Sequence, residues 1–144
     1  METLGLPDMA FSYRSSVLKN SVDRFVVSAT FDLSRRKPGN AFESMDPDEF
    51  RQQRKTRQPA GRTCGSFFKN PSGQSAGALI DRAGLKGAKI RGAEISTLHA
   101  NFFLASPGAV WQDVLALRDL AKRSVADAFG VELVEEARIL TEAG

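Results

Sequence analysis

The chain has 144 residues, 42% hydrophobic and 26% charged, a globular balance in which folding buries about two-thirds of the unfolded surface. A single cysteine, Cys64, and a single histidine, His99, exclude a disulfide framework, a cysteine-based zinc site and a histidine-rich metal centre, so no metal is expected. The net charge of +3 sits in residues 1–62, with 11 Lys and Arg against 8 Asp and Glu, whereas residues 63–144 carry 9 of each. That excess suits an anionic ligand or a solvated basic face, and without interleaved aromatic residues it does not point to nucleic acid.

The opening METLGLPDMAF has no basic stretch leading into an apolar one and does not read as a secretory signal. No apolar run approaches the ~20 residues of a membrane span. The lack of disulfides agrees with a reducing compartment, so a cytoplasmic protein without membrane contact is expected. Residues 24–34, RFVVSATFDLS, alternate Phe25, Val27, Ala29, Phe31 and Leu33 with Val26, Ser28, Thr30 and Asp32. This period of two predicts a strand, and the charged turn SRRKPGN follows it. DPDEFRQQRKTR, residues 46–57, predicts a helix with Asp46 as N-cap, Pro47 at the first helical position and Glu49 completing a capping box. Its other residues are nearly all polar, which suits an exposed linker helix ending before Pro59.

SAGALIDRAGLKG, residues 75–87, predicts a short helix with Ala78, Leu79 and Ala83 facing inward and Gly84 as its stop. Short strands are expected around AKI, AEIS and NFFLAS. The long helix is AVWQDVLALRDLAKRSVADAFG, where Val110, Val114, Leu117, Ala121, Val125 and Ala128 keep the spacing of one buried face. Asp119 and Arg123 lie four apart and can pair. Gly130 stops the helix, and VELVEEARIL predicts a closing strand with Val131, Leu133 and Ile139 among its apolar residues. The whole predicts an α+β fold, a small antiparallel or mixed sheet covered by helices. The first strand stands apart from it, across a polar helix, with nothing before it to offer a sheet; residues 1–40 read as the end of something larger.

Five segments carry candidate chemistry. In FSYRSS, Tyr13 and Arg14 precede a strand, where a loop can aim both at a ligand; Arg14 has the planar fork that pairs with carboxylate or phosphate, and an ordinary surface arginine beside a half-buried tyrosine fits equally. In GSFFKNP, Gly65 permits a positive φ, Phe67 and Phe68 anchor the segment, and Pro71 stops any ladder, so the motif is a rigid turn holding a Ser66 hydroxyl and an Asn70 amide. KGAKIRGAEIS sets Lys86, Lys89 and Arg91 among glycines without the spacing of a nucleotide loop. His99 lies between apolar residues, which suits a structural histidine better than a catalyst. Glu135 and Glu136 fall on opposite faces of the closing strand, so one can look into a cleft while the other is solvated, or both can be exposed edge charges.

GSFFKNP, AGALIDRAGLKG, GAEIS, HANF and FGVELVEEARIL, in this order and spacing, resemble the UDP-N-acetylenolpyruvoylglucosamine reductases, the MurB family of bacterial flavoenzymes in peptidoglycan precursor synthesis. FSYRSS and VVSATFDL resemble the end of that family's flavin-binding region. The resemblance implies a cytoplasmic enzyme that reduces the enolpyruvyl ether of UDP-N-acetylglucosamine to the lactyl ether, giving UDP-N-acetylmuramate, with FAD and NADPH as cofactors. Hydride from the flavin adds to the carbon β to the carboxylate; charge builds on the α carbon, where a cation must stabilise it and an acid must protonate it.

Matched motif to motif, Ser66 stands where the family has its proton donor. Arg14 matches an arginine near the substrate carboxylate and the flavin, and Tyr13 lines the same site. Glu136 matches the glutamate of a closing Leu-x-x-Glu pattern, here Leu133 to Glu136. Asn70 matches an asparagine associated with the UDP-sugar, and Arg57, in RQP, lies near a basic residue for the substrate. The family's two glycine-rich flavin regions have no counterpart here, and Cys64 replaces a more usual alanine. The expected organisation is residues 1–42 as an incomplete end of a FAD-binding domain, 43–58 as a linker helix and 59–144 as the C-terminal substrate-binding domain. The expected partners are UDP-N-acetylglucosamine enolpyruvate and the missing N-terminal FAD-binding part. A stand-alone UDP-sugar-binding module without redox activity is the alternative reading.

Overall fold

The computed structural model describes residues 1–19, 21–32, 34 and 46–140. The chain divides into two compact units, Met1–Met45 and Asp46–Gly144. The first is made of turns: Met9 and Asp8 donate to Gly5, Val17 donates to Met9 at 3.1 Å, and Ser12 and Ser15 exchange both backbone bonds. None of its described residues is buried.

The strand expected over 24–34 is not formed in the described residues 24–32; Leu33 and the turn over 35–40 lie outside them. Phe25 is 84% exposed and Phe31 79%. Alternation prepares a strand, but a strand exists only by pairing, and among the described residues of this unit no backbone forms a ladder with residues 24–32.

The second unit opens with α1 (Pro47–Arg57). The Asp46 carboxylate accepts from Asp48 N–H at 3.0 Å, and Arg54, Lys55 and Arg57 lie in the last turn, where the helix dipole favours cations. No capping-box bond from Glu49 accompanies that cap; α1 buries no residue, as its polar sequence requires. α2 (Ala76–Arg82) buries Ala76, Gly77, Leu79 and Ile80. Ala78, expected inward, is exposed because the helix is only two turns long and its buried stripe runs through its neighbours. Gly84, at φ 75, ends it as expected.

β1 (Lys89–Ile90), β2 (Ala93–Ile95) and β3 (Phe103–Ala105) form one antiparallel sheet in the order β1-β2-β3, with Lys89 opposite Glu94 and Ile95 opposite Phe103. The first hairpin turns through Arg91 and Gly92. A Cβ on Gly92 would lie 2.6 Å from Ala109 Cα, so the close approach of the two backbones there requires glycine.

α3 (Trp111–Phe129) packs across β1, β2 and α2. Leu117, Ala121 and Val125 are fully buried, Val114 is half-buried and Phe129 closes the stripe. Val110 and Ala128, expected on this face, are exposed: Val110 is the extended residue before the helix, and a stripe advancing by fours reaches Phe129 rather than Ala128. Asp119 pairs with Arg118 at 2.8 Å rather than with Arg123. Gly130 closes the helix in the left-handed conformation, at φ 65.

The closing strand is reduced to one bridge, Phe68 to Glu135. Its partner segment ends at Pro71, which has no N–H to extend a ladder. Leu133 is buried in the core, whereas Ile139 is 43% and Leu140 91% exposed. Among the described residues no helix is long and apolar enough to cross a membrane.

Candidate functional site

Residues 63–71 form an irregular segment held by backbone and side-chain hydrogen bonds along its length. Thr63 Oγ1 accepts from Gly65 N–H at 3.2 Å, and Gly65 adopts φ 85, which a side chain would strain. Phe67 and Phe68 then enter the core at 2% and 1% exposure. The Phe67 ring stacks on Phe103 at 4.5 Å and meets Phe68 edge-on at 5.1 Å. Such pairs add about 0.5–1.5 kcal/mol beyond their burial.

The segment is clamped between two others. On one flank Ser66 bridges Phe102, Phe67 N–H donates to Asn101 O at 2.8 Å, and Phe68 N–H donates to Asn101 Oδ1 at 2.9 Å. Asn101 Nδ2 returns a bond to Phe68 O at 2.8 Å. On the other, Lys69 N–H donates to Val134 O and Glu136 N–H donates to Phe67 O, both at 2.8 Å. At its far end Asn70 Oδ1 accepts from Ala76 N–H at 3.0 Å and so joins the segment to the start of α2.

The fold thus holds Ser66 and Asn70 on one short, doubly flanked segment and sets Glu136 on one of its flanks. Ser66 is half-buried, and no side chain among the described residues bonds its hydroxyl. What holds Ser66 in place is therefore a clamp on the backbone around it. Cys64 is drawn partly out of solvent, which pushes its thiol above its ordinary value; it is not poised as a nucleophile.

The two adjacent glutamates differ. Burial alone would raise the Glu135 carboxyl, but its own backbone N–H, Lys122 at 3.1 Å and Arg118 outweigh that and hold it below its ordinary value. Glu135 ties the closing segment to α3 and leaves Glu136, half-buried beside Phe67, as the glutamate at the clamp.

Arg57 is exposed at the end of α1, and no hydrogen bond or ion pair joins it to the Ser66 group among the described residues. Tyr13 and Arg14 belong to the other unit. There they form the tip of a two-residue turn, with Arg14 at φ 55 and its guanidinium 5.6 Å from the centre of the Tyr13 ring. The basic glycine-rich run is spoken for by carboxylates: Lys86 pairs with Asp81 at 2.8 Å, Lys89 with Glu94 at 3.2 Å and Arg91 lies 3.9 Å from Asp113. His99 is structural, its Nδ1 accepting from Asn101 N–H at 3.2 Å and its ring against Phe102.

Two side chains that matter here escaped the sequence reading. Asn101 and Lys122 lie in segments whose pattern announces only a strand entrance and a helix surface; HANF, noticed for its histidine, held the signal for the first.

The described residues do not fit a dinucleotide cofactor such as FAD. A dinucleotide's phosphates are commonly taken up by a glycine-rich turn at a helix N-terminus. No glycine-rich turn leads into a helix among the described residues, and several N-terminal donors are taken by side chains: Asp46 accepts from Asp48 N–H at α1, and Asn70 and Ser75 accept from Ala76 and Ala78 N–H at α2. Nor do three His, Cys, Asp or Glu side chains come together as a metal would require among these residues.

A family model described as UDP-N-acetylenolpyruvoylglucosamine reductase, C-terminal domain, matches residues 55–140. A reductase of that name from Chloroflexus aurantiacus is 46% identical over 137 residues, covering 92% of this chain and 46% of the relative. One from Anoxybacillus flavithermus is 39% identical over 141 residues, covering 97% and 46%. One from Bacillus licheniformis is 35% identical over 136 residues, covering 94% and 73%. The crystal structure of the reductase (MurB) from Thermus caldophilus superposes with a TM-score of 0.54 at 39% identity, over 65% of this chain and 33% of that one. The chain thus spans under half the length of the first two relatives.

Proposed function

The chain belongs to the UDP-N-acetylenolpyruvoylglucosamine reductase family, and from that premise we propose that it forms the substrate side of a UDP-N-acetylmuramate dehydrogenase in peptidoglycan precursor synthesis. The reaction is the NADPH-dependent, FAD-mediated reduction of the enolpyruvyl group of UDP-N-acetylglucosamine enolpyruvate, carried out in the cytoplasm. Residues 1–42 are the end of a FAD-binding domain, 43–58 a linker helix and 59–144 the substrate-binding domain. Because the described residues do not fit FAD, the cofactor's grip comes with the portion of the longer relatives that this chain does not span.

The observation that carries this reading is the clamp on residues 66–70. Ser66 donates the proton that the α carbon needs when the double bond is reduced. A serine is a weak acid, so its value as a donor lies in being held where a bound substrate meets it. Arg14 would stabilise charge on the substrate carboxylate, and Glu136 completes the catalytic group. Asn70, Tyr13 and Arg57 bind the UDP-sugar.

The test is Ser66→Ala in the chain assembled with the further portion that the longer relatives carry. Flavin reduction by NADPH should persist, while turnover of the enolpyruvyl sugar falls by about 10²–10⁴. An equal fall in both half-reactions would remove Ser66 from the proton-donor role. The second reading, a UDP-sugar-binding module without redox activity, is favoured by the side-chain caps on α1 and α2 and the lack of a glycine-rich phosphate turn among the described residues. Titrating the chain with FAD and with the UDP-sugar separates the two: tight flavin binding with NADPH oxidation excludes the module.

A further inference from the structure

We infer that Asn101 is a positioning residue, whose buried side-chain amide sets the register in which Ser66 and Asn70 are presented to substrate. The inference rests on the reading of those two residues as substrate-facing.

The geometry is that of a side chain standing in for a strand. Asn101 is 3% exposed. Its Oδ1 takes Phe68 N–H at 2.9 Å and its Nδ2 gives to Phe68 O at 2.8 Å, the pairing that one peptide group makes with another. Its own carbonyl takes Phe67 N–H at 2.8 Å. Both backbone donors and one acceptor of the Phe67–Phe68 pair therefore end on one residue, 33 positions away. An apolar residue there would pack as well but leave Phe68 N–H and C=O buried without partners.

Asn101 is itself held from behind. Its N–H donates to His99 Nδ1 at 3.2 Å, and a Cβ on Gly77 of α2 would come within 3.0 Å of His99 Cε1. Asn70, at the far end of the segment, meets the same first turn of α2, at Ala76. The Ser66–Asn70 segment is thus spanned between Asn101 and α2, so its register follows from where the amide sits.

The experiment uses the full chain, labelled with ¹⁵N, as wild type, Asn101→Asp, Asn101→Leu and the core control Val125→Ala, which lies on α3 away from the clamp. Three quantities are read: the thermal midpoint, amide exchange at Phe67 and Phe68 relative to Leu117, and the Kd for UDP-N-acetylglucosamine enolpyruvate. In the wild type the two phenylalanine amides should exchange as slowly as Leu117. Asn101→Leu should speed their exchange selectively and weaken Kd by about tenfold or more, with Asn101→Asp, which keeps the Phe68 acceptor, in between. Val125→Ala should lower the midpoint and leave Kd unchanged.

Fast exchange of Phe67 and Phe68 in the wild type overturns the inference without any variant, which covers the case where Asn101→Leu does not fold. So does an equal loss of affinity in Val125→Ala. If the wild type does not bind the sugar at all, the substrate-facing reading fails, and selective exchange in Asn101→Asp still decides whether the amide holds the segment.

Discussion

Phe25 and Phe67 both stand in short apolar segments beside small polar residues, yet Phe25 is 84% exposed and Phe67 2%. The difference lies in what surrounds them. The segment around Phe67 has backbone partners on two flanks, Asn101–Phe102 and Val134–Ala137, and an aromatic neighbour in Phe103. The segment around Phe25 alternates more regularly but has no such flanks among the described residues of its unit. Apolar pattern supplies a willingness to be buried; a second surface decides whether burial happens. The better-patterned strand is the one left open, and the irregular segment carries the candidate chemistry.

Substitutions sharpen that contrast, and the largest effect belongs to the clamp. Phe67→Ala should cost about 3–5 kcal/mol in urea unfolding, the loss expected for emptying a packed aromatic site. Phe25→Ala should stay within about 0.5 kcal/mol, as an exposed side chain does. A comparable loss from both would mean that the first unit has a core after all. Gly92→Ala comes next, because its Cβ would strike the Ala109 backbone; about 1–3 kcal/mol is expected from overpacking, read as a shift of the same midpoint.

Lys122→Met should have a smaller effect, about 0.5–1 kcal/mol at neutral pH, by removing the main cation beside Glu135. Its pH dependence is the sharper readout. The folded Glu135 carboxyl is held below its ordinary value, so its contribution is complete above the ordinary carboxylate range and is lost as pH falls through the lowered folded value. The gap between wild type and variant should therefore close in acid. A gap that persists at low pH would mean that Lys122 acts through packing instead.

Smallest of all should be the removal of residues 1–45. Unfolding of the remaining Asp46–Gly144 unit should keep its midpoint within about 0.5 kcal/mol, since its core is internal. A collapse of the midpoint would break the comparison outright.

Much of the second unit was legible. Helix α3 follows from its apolar spacing, its stop from Gly130, and the paired strands from short apolar runs around glycine. The burial of Phe67 and Phe68 followed from two large apolar side chains next to a chain-stopping proline. The edges of these elements were less legible: Val110 and Ala128 fit the periodicity but fall where the helix starts and where its stripe has turned away. The pairing of Asp119 also differed, because a half-buried Arg118 next to it competes with the exposed Arg123.

By itself, the sequence determined which segments turn, which coil and which seek burial, because these depend on neighbours a few residues apart. It also carried the spaced motifs by which the family is recognised. Only the tertiary structure decided that Asn101 pairs with the backbone of Phe68, that Glu135 is spent on Lys122 while Glu136 stays at the clamp, and that residues 24–32 remain without a ladder. Each of those outcomes depends on which groups meet across long stretches of chain, and hydrogen bonds and ion pairs act over ångströms of space, not along the chain that spacing and periodicity describe.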